Sequence, residues 1–268
     1  MRRMTPVVTV LAMIFAVGVH ADTVAVLEFH FDNDGGVGED YTDGGTVHDY
    51  SGNGTTGHLS STPGVPEWTA DGIAGGAFNF TGTGDTGQSV LVNHDDSLNP
   101  GSGDFALALW ILTRDNVDGD VLRKGSSGNS STWYKIEHSP STANNKLSLN
   151  FNTTGNDATV HSQNAYADEQ WHFVVAQRNG DIAELWIDGI LDGTDAISGS
   201  ISNTGDLAIG SKDTLDDDFL NGMVDELTIY MGALSEQQIQ EMYSTIPEPA
   251  TLTLLGLGCM AFLRKRKS

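Results

Sequence analysis

The sequence has almost no cysteine and few basic residues. Its single cysteine, Cys259, lies near the end of the 268 residues, so the long segment before it cannot form an internal disulfide. That segment has to be stabilised by a buried core or by a bound ion. Lysine and arginine total 13 against 36 acidic residues, which gives a formal net charge of −23. Because nucleic-acid phosphates require a basic surface, this charge argues against a nucleic-acid partner.

Several motifs of catalysis and of cofactor binding are also missing. The chain contains no nucleophile elbow, no zinc-binding histidine pair and no phosphate-binding loop. No EF-hand spacing surrounds the acidic runs at residues 32–34 and 216–218, which we interpret as solvated loops. His48, His58 and His172 are scattered along the chain, so we predict ordinary surface or structural roles for them.

The N-terminal segment carries a processing signal. Arg2 and Arg3 precede an apolar run at residues 7–19, and Val19-His20-Ala21 is typical of a cleavage site with small residues. The apolar run is shorter than the ~20 residues that a membrane-spanning helix needs. We therefore predict that residues 1–21 are a secretory signal peptide.

The C-terminal segment carries a second signal with three parts. Pro247-Glu248-Pro249 is followed by an apolar stretch at residues 250–263 and then by four basic residues at 264–267. This order resembles the PEP-CTERM sorting tail, to which we assign residues 246–268. The resemblance implies export in a bacterium with an outer membrane, transient anchoring in the inner membrane and cleavage by an exosortase. A simple C-terminal anchor is the alternative, although the apolar stretch is short for one.

Between the two signals, residues 22–245 show the pattern of an all-β domain. Two strand-like runs at residues 171–189 are joined by Asn179-Gly180 and closed by Asp188-Gly189, dipeptides that favour type I′ hairpin turns. Residues 105–112 are apolar on both alternating faces, as are residues 173–176, which predicts central strands covered on both sides. The remaining predicted strands are mostly short. They lie at residues 24–31, 77–80, 89–92, 120–122, 133–137, 146–151, 159–162, 207–210 and 220–230.

One helix is predicted near the end of this domain. Ser235 followed by Gln238 has the spacing of a capping box, and Ile239, Met242 and Tyr243 form one apolar stripe after it. Many short strands without strand–helix alternation indicate a sandwich or a jelly roll.

With these elements placed, the domain resembles the laminin-G-like members of the concanavalin A-like lectin and glucanase jelly rolls. The segments that carry the resemblance are residues 49–53, 68–80, 105–110, 124–125, 171–173, 186–189, 221–226 and 233–243. The resemblance implies a two-sheet antiparallel jelly-roll sandwich with one short C-terminal helix. It does not fix a ligand.

Calcium is the cofactor that the resemblance suggests. Related domains often hold a calcium ion between an early Asp-x-Ser-Gly-Asn loop and a late strand, and Asp49, Asn53 and Asp225 offer oxygen ligands at those places. We predict that these three residues contribute to a structural calcium site. The alternative is that they form Asx turns and solvated strand ends.

The aromatic residues divide into predicted core and predicted binding residues. Trp110, Trp171 and Trp186 are assigned to the core. Trp68, Trp133 and Tyr134 lie near predicted loops, where exposed rings stack on sugars, so we predict a carbohydrate site there, with core burial as the alternative.

A catalytic site is not predicted. Jelly-roll glucanases carry Glu-x-Asp-x-x-Glu or Glu-x-Asp-x-Glu on one strand, and no such string occurs here. Asp225 and Glu226 are adjacent, so on a strand they point to opposite faces. We therefore predict an exported, non-catalytic protein of the cell surface or extracellular matrix that binds polysaccharide. A structural or adhesive protein acting through protein contacts is the alternative, and a polysaccharide-active enzyme is the third.

Overall fold

The computed structural model describes residues 23–32, 41–84, 86–114, 118–125, 132–139, 143–212 and 214–245. The predicted signal peptide at residues 1–21 and the predicted sorting tail at residues 246–268 both lie outside these residues. Within them the chain is all-β, as predicted, with one 3-10 turn at Asp96–Leu98 and one helix, α1, at Glu236–Thr245. The strands in chain order are β1 Val24–Phe29, β2 Thr46–Val47, β3 Gly57–Leu59, β4 Glu67–Thr69, β5 Ala77–Gly84, β6 Val90–Val92, β7 Phe105–Thr113, β8 Gly119–Lys124, β9 Trp133–Ser139, β10 Lys146–Asn152, β11 Ala158–Ala165, β12 Trp171–Asn179, β13 Ile182–Ile187, β14 Ile190–Ala196, β15 Leu207–Ile209 and β16 Phe219–Met231.

The strands form an open antiparallel jelly-roll sandwich. One hydrogen-bonded path runs β14-β13-β12-β7-β16-β8-β15-β6-β3-β2, and branches add β1 and β5 to β16, β4 to β5, and β9, β10 and β11 to β8. Every strand pair is antiparallel except a single bridge between β16 and β8 at Phe219 and Asp120. The predicted two-sheet antiparallel jelly roll with a late helix is therefore confirmed.

Two apolar clusters cover the central strands from opposite sides. On β7, Leu107 and Leu109 face the main core, whereas Ala108 and Trp110 face a second core beneath α1. All nine residues of β7 are buried, which confirms the prediction that this strand is central. β12 repeats the pattern, because Val174 faces the main core and Phe173 faces the second one.

The two predicted hairpin turns differ in their outcome. Asp188 and Gly189 both have positive φ, 53° and 78°, and they connect the paired residues Ile187 and Ile190 as a type I′ turn requires. In the preceding turn Asn179 pairs with Ile182, so the central residues are Gly180 and Asp181. Of these two, Gly180 alone has a positive φ, 62°, which is the pattern of a type II′ turn. The type I′ prediction was wrong there because the register places glycine first.

The helix α1 begins as the sequence predicts. The backbone N–H of Ser235 donates to Gln238 Oε1 at 2.9 Å, and the N–H of Gln238 donates back to Ser235 Oγ at 3.3 Å. This capping box directs the helix onto β7 and β12, where Tyr243 stacks on Trp110 with ring centroids 5.8 Å apart. Of the three tryptophans assigned to the core, Trp110 and Trp186 are buried and Trp171 is partly buried against the second core.

Candidate functional site

The side of strands β8 to β11 that faces away from the main core is polar, and we call it the polar face. Four of its residues are buried, namely Asp120, Arg123, Ser148 and Asn150. On β9, Tyr134 and Ile136 point into the main core, so the alternate residues Trp133, Lys135 and Glu137 point outward. Cross-strand pairing extends the outward row from Lys135 to Arg123 on β8 and to Asn150 on β10. The polar face consists of Asp120, Arg123, Trp133, Lys135, Glu137, Ser148, Asn150, Thr159 and His161.

Ion pairs and hydrogen bonds hold the polar face in one arrangement. Lys135 Nζ contacts both Asp120, at 3.1 Å, and Glu137, while Arg123 Nη1 reaches Asp120 Oδ2 at 3.3 Å. Asn150 donates to Glu137 at 2.9 Å and accepts from Thr159 Oγ1 at 3.1 Å. Side chains fixed in this way lose little conformational freedom when a ligand binds.

Burial and charge act in opposite directions on the pKa values of this network. Burial raises the pKa of Asp120 to about 6 even though Lys135 and Arg123 lie beside it. For Lys135, burial lowers the pKa, but the Asp120 and Glu137 carboxylates outweigh it and the net shift is upward. The ammonium group therefore stays charged between the two carboxylates, and the network is a set of paired charges.

Trp133 is the aromatic member of the polar face. Its indole is partly exposed, and the Arg123 guanidinium and the Lys135 ammonium lie 4.9 and 5.7 Å from the ring centroid. These distances are typical of cation–π contacts, which orient the ring relative to the polar network. The structure thus places Trp133 where the sequence predicted an accessible aromatic side chain.

Tyr134, the next residue, does not belong to this face. Its side chain is fully buried, its ring packs against Phe105 at 5.4 Å, and its hydroxyl donates to the carbonyl of Leu98 at 3.2 Å. The assignment of Tyr134 to a carbohydrate site was wrong, because successive residues of a strand point to opposite sides and only one of this pair faces outward.

Trp68 lies away from the polar face, on the short strand β4. Its Nε1 donates to the carbonyl of Phe31 at 2.8 Å, and its ring packs against the main core while remaining partly exposed. The structure therefore does not bring Trp68 together with Trp133 in one set of contacts, and its sugar-binding role stays a prediction.

Asp49 closes its own loop. Its Oδ1 accepts from the backbone N–H groups of Glu28, at 3.0 Å, and Ser51, at 2.9 Å, while Oδ2 accepts from the Ser51 hydroxyl and the Thr55 N–H. Asn53 donates from Nδ2 to the carbonyl of Val26 at 3.0 Å. Four donors around one carboxylate form the Asx-turn arrangement that the sequence left open as the alternative, and N–H groups directed at the oxygens fit a cation poorly.

Asp225 is fully buried in a separate set of contacts. Its Oδ2 accepts from the N–H groups of Ile73, at 2.8 Å, and Ala74, at 3.1 Å, while Oδ1 accepts from Glu226. Burial raises its pKa to about 8. Asp49 and Asp225 share no hydrogen-bonding partner, and among the described residues no group of three histidine, cysteine or acidic side chains is placed to hold a metal ion. The three residues of the predicted calcium site thus do not form one ligand set here, and calcium stays a prediction.

A β-bulge separates Asp225 from its neighbour. The register of β16 against β7 shifts between Asp225 and Thr228, and Glu226 has a φ of 50°. Glu226 Oε2 pairs with His30 Nδ1 at 2.8 Å, while Asp225 faces the loop at residues 73–74. The two carboxylates are therefore engaged with different partners, and the bulge replaces the regular strand alternation that the sequence predicted here.

The sequence offered no signal for the carboxylate pair that the structure does assemble. Asp120 and Glu137 lie on neighbouring strands, and both carboxylates contact the Lys135 ammonium. A motif search along one strand cannot find them. The bridging Lys135 gives the pair the chemistry of a salt-bridge network that accepts hydrogen bonds.

The fold defines a jelly-roll domain of the concanavalin A-like class. A family model supports this class, because residues 83–240, more than half of the chain, match the concanavalin A-like lectin/glucanases superfamily. The chain belongs to that superfamily. Residues 245–267 match the PEP-CTERM protein-sorting motif, which confirms the resemblance noted for the tail. No helix among the described residues is long and apolar enough to span a membrane.

Similar proteins and structures cover different parts of the chain. The adhesion G-protein coupled receptor V1 of Danio rerio is 26% identical over 172 residues, which are 61% of this chain and 3% of the receptor. The binding domain of Paraclostridial Mosquitocidal Protein 1 aligns with a TM-score of 0.62 at 16% identity, covering 83% of this chain and 52% of that one. Domain 4 of AbnA, a GH43 extracellular arabinanase of Geobacillus stearothermophilus in complex with arabinotriose, aligns with a TM-score of 0.59 at 15% identity. This alignment covers 83% of this chain and 100% of that one. At these identities the structures show a shared fold.

Proposed function

We propose that this protein is an exported, non-catalytic polysaccharide-binding protein and that the polar face around Trp133 is its binding surface. The observation that carries the proposal is a partly exposed indole held beside a network of fixed charged and amide side chains. Sugar rings pack their C–H faces on such aromatic rings, and their hydroxyl groups pair with fixed polar neighbours.

The comparisons support this class of function without naming its ligand. Two domains of similar structure are known as complexes: the binding domain of Botulinum Neurotoxin DC with SialylT, and the AbnA domain with arabinotriose. The sorting motif supports export and processing by an exosortase after transient anchoring in the inner membrane. A final location at the cell surface or in the extracellular matrix follows from that route as part of the proposal.

The test uses residues 22–245, which contain every described strand and helix α1. Binding to a panel of bacterial and plant polysaccharides is measured by affinity electrophoresis and by calorimetry for each polymer that is retarded. Trp133→Ala is expected to weaken the binding by about tenfold or more, the ~1–2 kcal/mol typical of one buried aromatic contact.

Tyr50→Ala is the matched control for this experiment. Tyr50 is 39% exposed and lies outside the polar face, packed on His30 and His48. Its removal is expected to leave polysaccharide binding unchanged. Equal losses for the two variants, at equal melting temperatures, would contradict the assignment of the polar face.

Two alternative functions give different results in the same assays. A structural or adhesive protein would bind no polysaccharide of the panel and would self-associate in light scattering. A polysaccharide-active enzyme would release reducing ends. The carboxylate to test is then Asp120, which shares the Lys135 ammonium with Glu137. Turnover that Asp120→Asn abolishes would replace the binding proposal with hydrolysis.

A further inference from the structure

An apolar groove lies where helix α1 ends. It encloses about 510 Å³, and Tyr230, Leu234 and Met242 supply its apolar side chains. All three belong to the second core, and Tyr230 and Met242 are only partly buried, so this core opens to solvent here. The polar members of the wall are Thr23, Gln238, Glu241, Ser244 and Thr245. The groove therefore leaves apolar surface uncovered beside the last turn of the helix.

Both ends of the described domain meet at this groove. Thr23, the first described residue, donates from Oγ1 to the carbonyl of Ala233 at 3.1 Å and lies in the wall. Thr245, the last residue of α1, lies in the wall as well. The chain continues from Thr245 directly into Ile246 and the Pro247-Glu248-Pro249 motif. Ile246 is thus the apolar residue that starts closest to the groove along the chain.

The spacing of the apolar residues in α1 points to the same residue. Ile239, Met242 and Tyr243 form the stripe that packs on the second core, and residue 246 lies seven, four and three positions after them. Residues at these intervals share one face of a helix. Because the residue before a proline is disfavoured in the helical conformation, Pro247 ends the helix at or before Ile246. Residue 246 is therefore the last position that can reach the groove from this face.

Charge separates this occupant of the groove from the alternatives. The net charge of the chain is −23, and Glu241 adds a carboxylate to the wall. An anionic membrane surface and a second copy of the chain are therefore both repelled. Ile246 is uncharged and is joined to the wall by one peptide bond, so its docking costs no translational freedom.

We infer that this groove is the docking site of Ile246 and that the docked side chain holds Pro247-Glu248-Pro249 at a fixed place beside the domain. The inference rests on the sorting tail and on no residue of the polar face. Three residues then separate Ile246 from the apolar stretch at 250–263. At about 3.5 Å per residue, a membrane-inserted tail holds the end of α1 within roughly 15 Å of the membrane. The processing enzyme has to act in that gap.

The test uses residues 22–268 with the tail inserted in phosphatidylcholine nanodiscs and with methionine and isoleucine methyl groups labelled for NMR. The Met242 and Ile246 methyl groups are expected to show a nuclear Overhauser effect, which only close groups give. Ile246→Ser is expected to shift the Met242 signal. It should also speed amide hydrogen exchange in the last turn of α1 by about tenfold or more, because that turn loses an apolar contact. Ile246→Val keeps an apolar side chain and should retain most of the protection.

Three controls come from the same chain. Met223 belongs to a separate cluster with Ala77 and Leu112, so its methyl signal should not move in Ile246→Ser and reports that the domain stays folded. Ala250→Ser introduces serine further along the tail and should leave the Met242 signal and the exchange rates unchanged. Trp133→Ala should leave them unchanged as well, so that a failure of the polar face in polysaccharide binding is distinguishable from a failure here.

Three results would overturn the inference. The first is a Met242 signal that is the same in the parent and in Ile246→Ser, with equal exchange rates in the last turn of α1. The second is relaxation of the Met242 methyl group by spin-labelled lipid in place of the contact with Ile246, which would make the bilayer the occupant. The third is a Met242 shift that grows with protein concentration, which would make a second copy of the chain the occupant.

Discussion

The central strands β7 and β12 and the lateral strands β9 and β11 use the same period of two in different ways. On β7 both sets of alternate side chains are apolar and buried, one set in the main core and the other beneath α1. On β9 and β11 one set is buried and the other is polar and partly or fully exposed. A strand covered on both sides has no surface for a ligand, so binding chemistry is confined to strands that leave one side open.

The largest loss of stability is expected from a change in the central strands, which are buried on both sides. Trp110→Ala removes a ring that fills the space between β7, Phe173 and Tyr243. The loss of a large buried aromatic ring is expected to lower the free energy of unfolding by about 3–5 kcal/mol. Urea unfolding of residues 22–245 measures this. The control Ile190→Ala, at a side chain 71% exposed on β14, should stay within about 0.5 kcal/mol of the parent; similar losses would show that the second core is not packed as described.

A second prediction concerns Asp225, the buried carboxylate of the central region. Burial raises its pKa to about 8 from the ordinary 3.8. A raised pKa in the folded state means that the contribution to stability is fully present below about pH 4 and is lost as the pH rises through 8. In EDTA, the stability of residues 22–245 should therefore fall across this range, and Asp225→Asn should flatten the slope. A slope that survives in Asp225→Asn would assign the effect to other groups.

The same samples test the calcium prediction. An ion bound only to the folded state raises the melting temperature with its concentration. Added calcium is expected to raise the melting temperature at neutral pH. It should also reduce the loss of stability with rising pH, because a cation next to Asp225 would replace its proton. An unchanged melting temperature with calcium and with EDTA would count against any structural calcium ion.

A third prediction compares two adjacent residues of β9. Tyr134→Phe removes the hydroxyl that donates to the Leu98 carbonyl, so it should cost about 0.5–1.5 kcal/mol of stability. Because Tyr134 faces the core, polysaccharide binding should not change. Trp133→Ala should show the opposite pattern, with weaker binding and a stability loss below that of Trp110→Ala. Weaker polysaccharide binding by Tyr134→Phe would contradict the division of β9 into two sides.

The smallest expected effect lies at the edge of the central region. Burial lowers the pKa of His172, but the hydrogen bond to Asp188 and the charge of Asp168 outweigh it, so the net shift is upward. The resulting stability is present below pH 6.5 and is lost as the pH rises through the raised value. We expect about 1 kcal/mol or less, measured as the difference between parent and His172→Gln in urea unfolding at two pH values. An identical difference at both pH values would exclude the ion pair.

The central strands were readable from the sequence because their signal is local. Apolar residues at every position of residues 105–112, and the Asp188-Gly189 turn, depend only on neighbours along the chain. The polar face was not readable as a unit, because Asp120 and Glu137 are brought together by strand pairing across a sequence gap. For the same reason the sequence did not decide which residues of β9 face the core. The adjacent residues Trp133 and Tyr134 were therefore assigned to one site, although only Trp133 faces outward.

Asp49 and Asn53 show a different limit of prediction from sequence. The sequence identified an oxygen-rich loop and could not decide between an ion and backbone N–H groups as its partners. The structure supplies N–H groups of Glu28, Ser51 and Thr55, two of them from its own turn and one from a strand 21 residues earlier. Such a choice depends on which backbone donors the tertiary fold delivers.

Strand β16 sets the order in which the chain can assemble. It is 13 residues long and pairs with β1, β5, β7 and β8, so it joins strands from the first half of the domain. The first strand, at Val24–Phe29, has no other strand partner among the described elements and meets its ladder at residues 227–231. Pairing across such a separation is slow to form. During synthesis and export, β1 therefore waits for nearly the whole domain before it can pair.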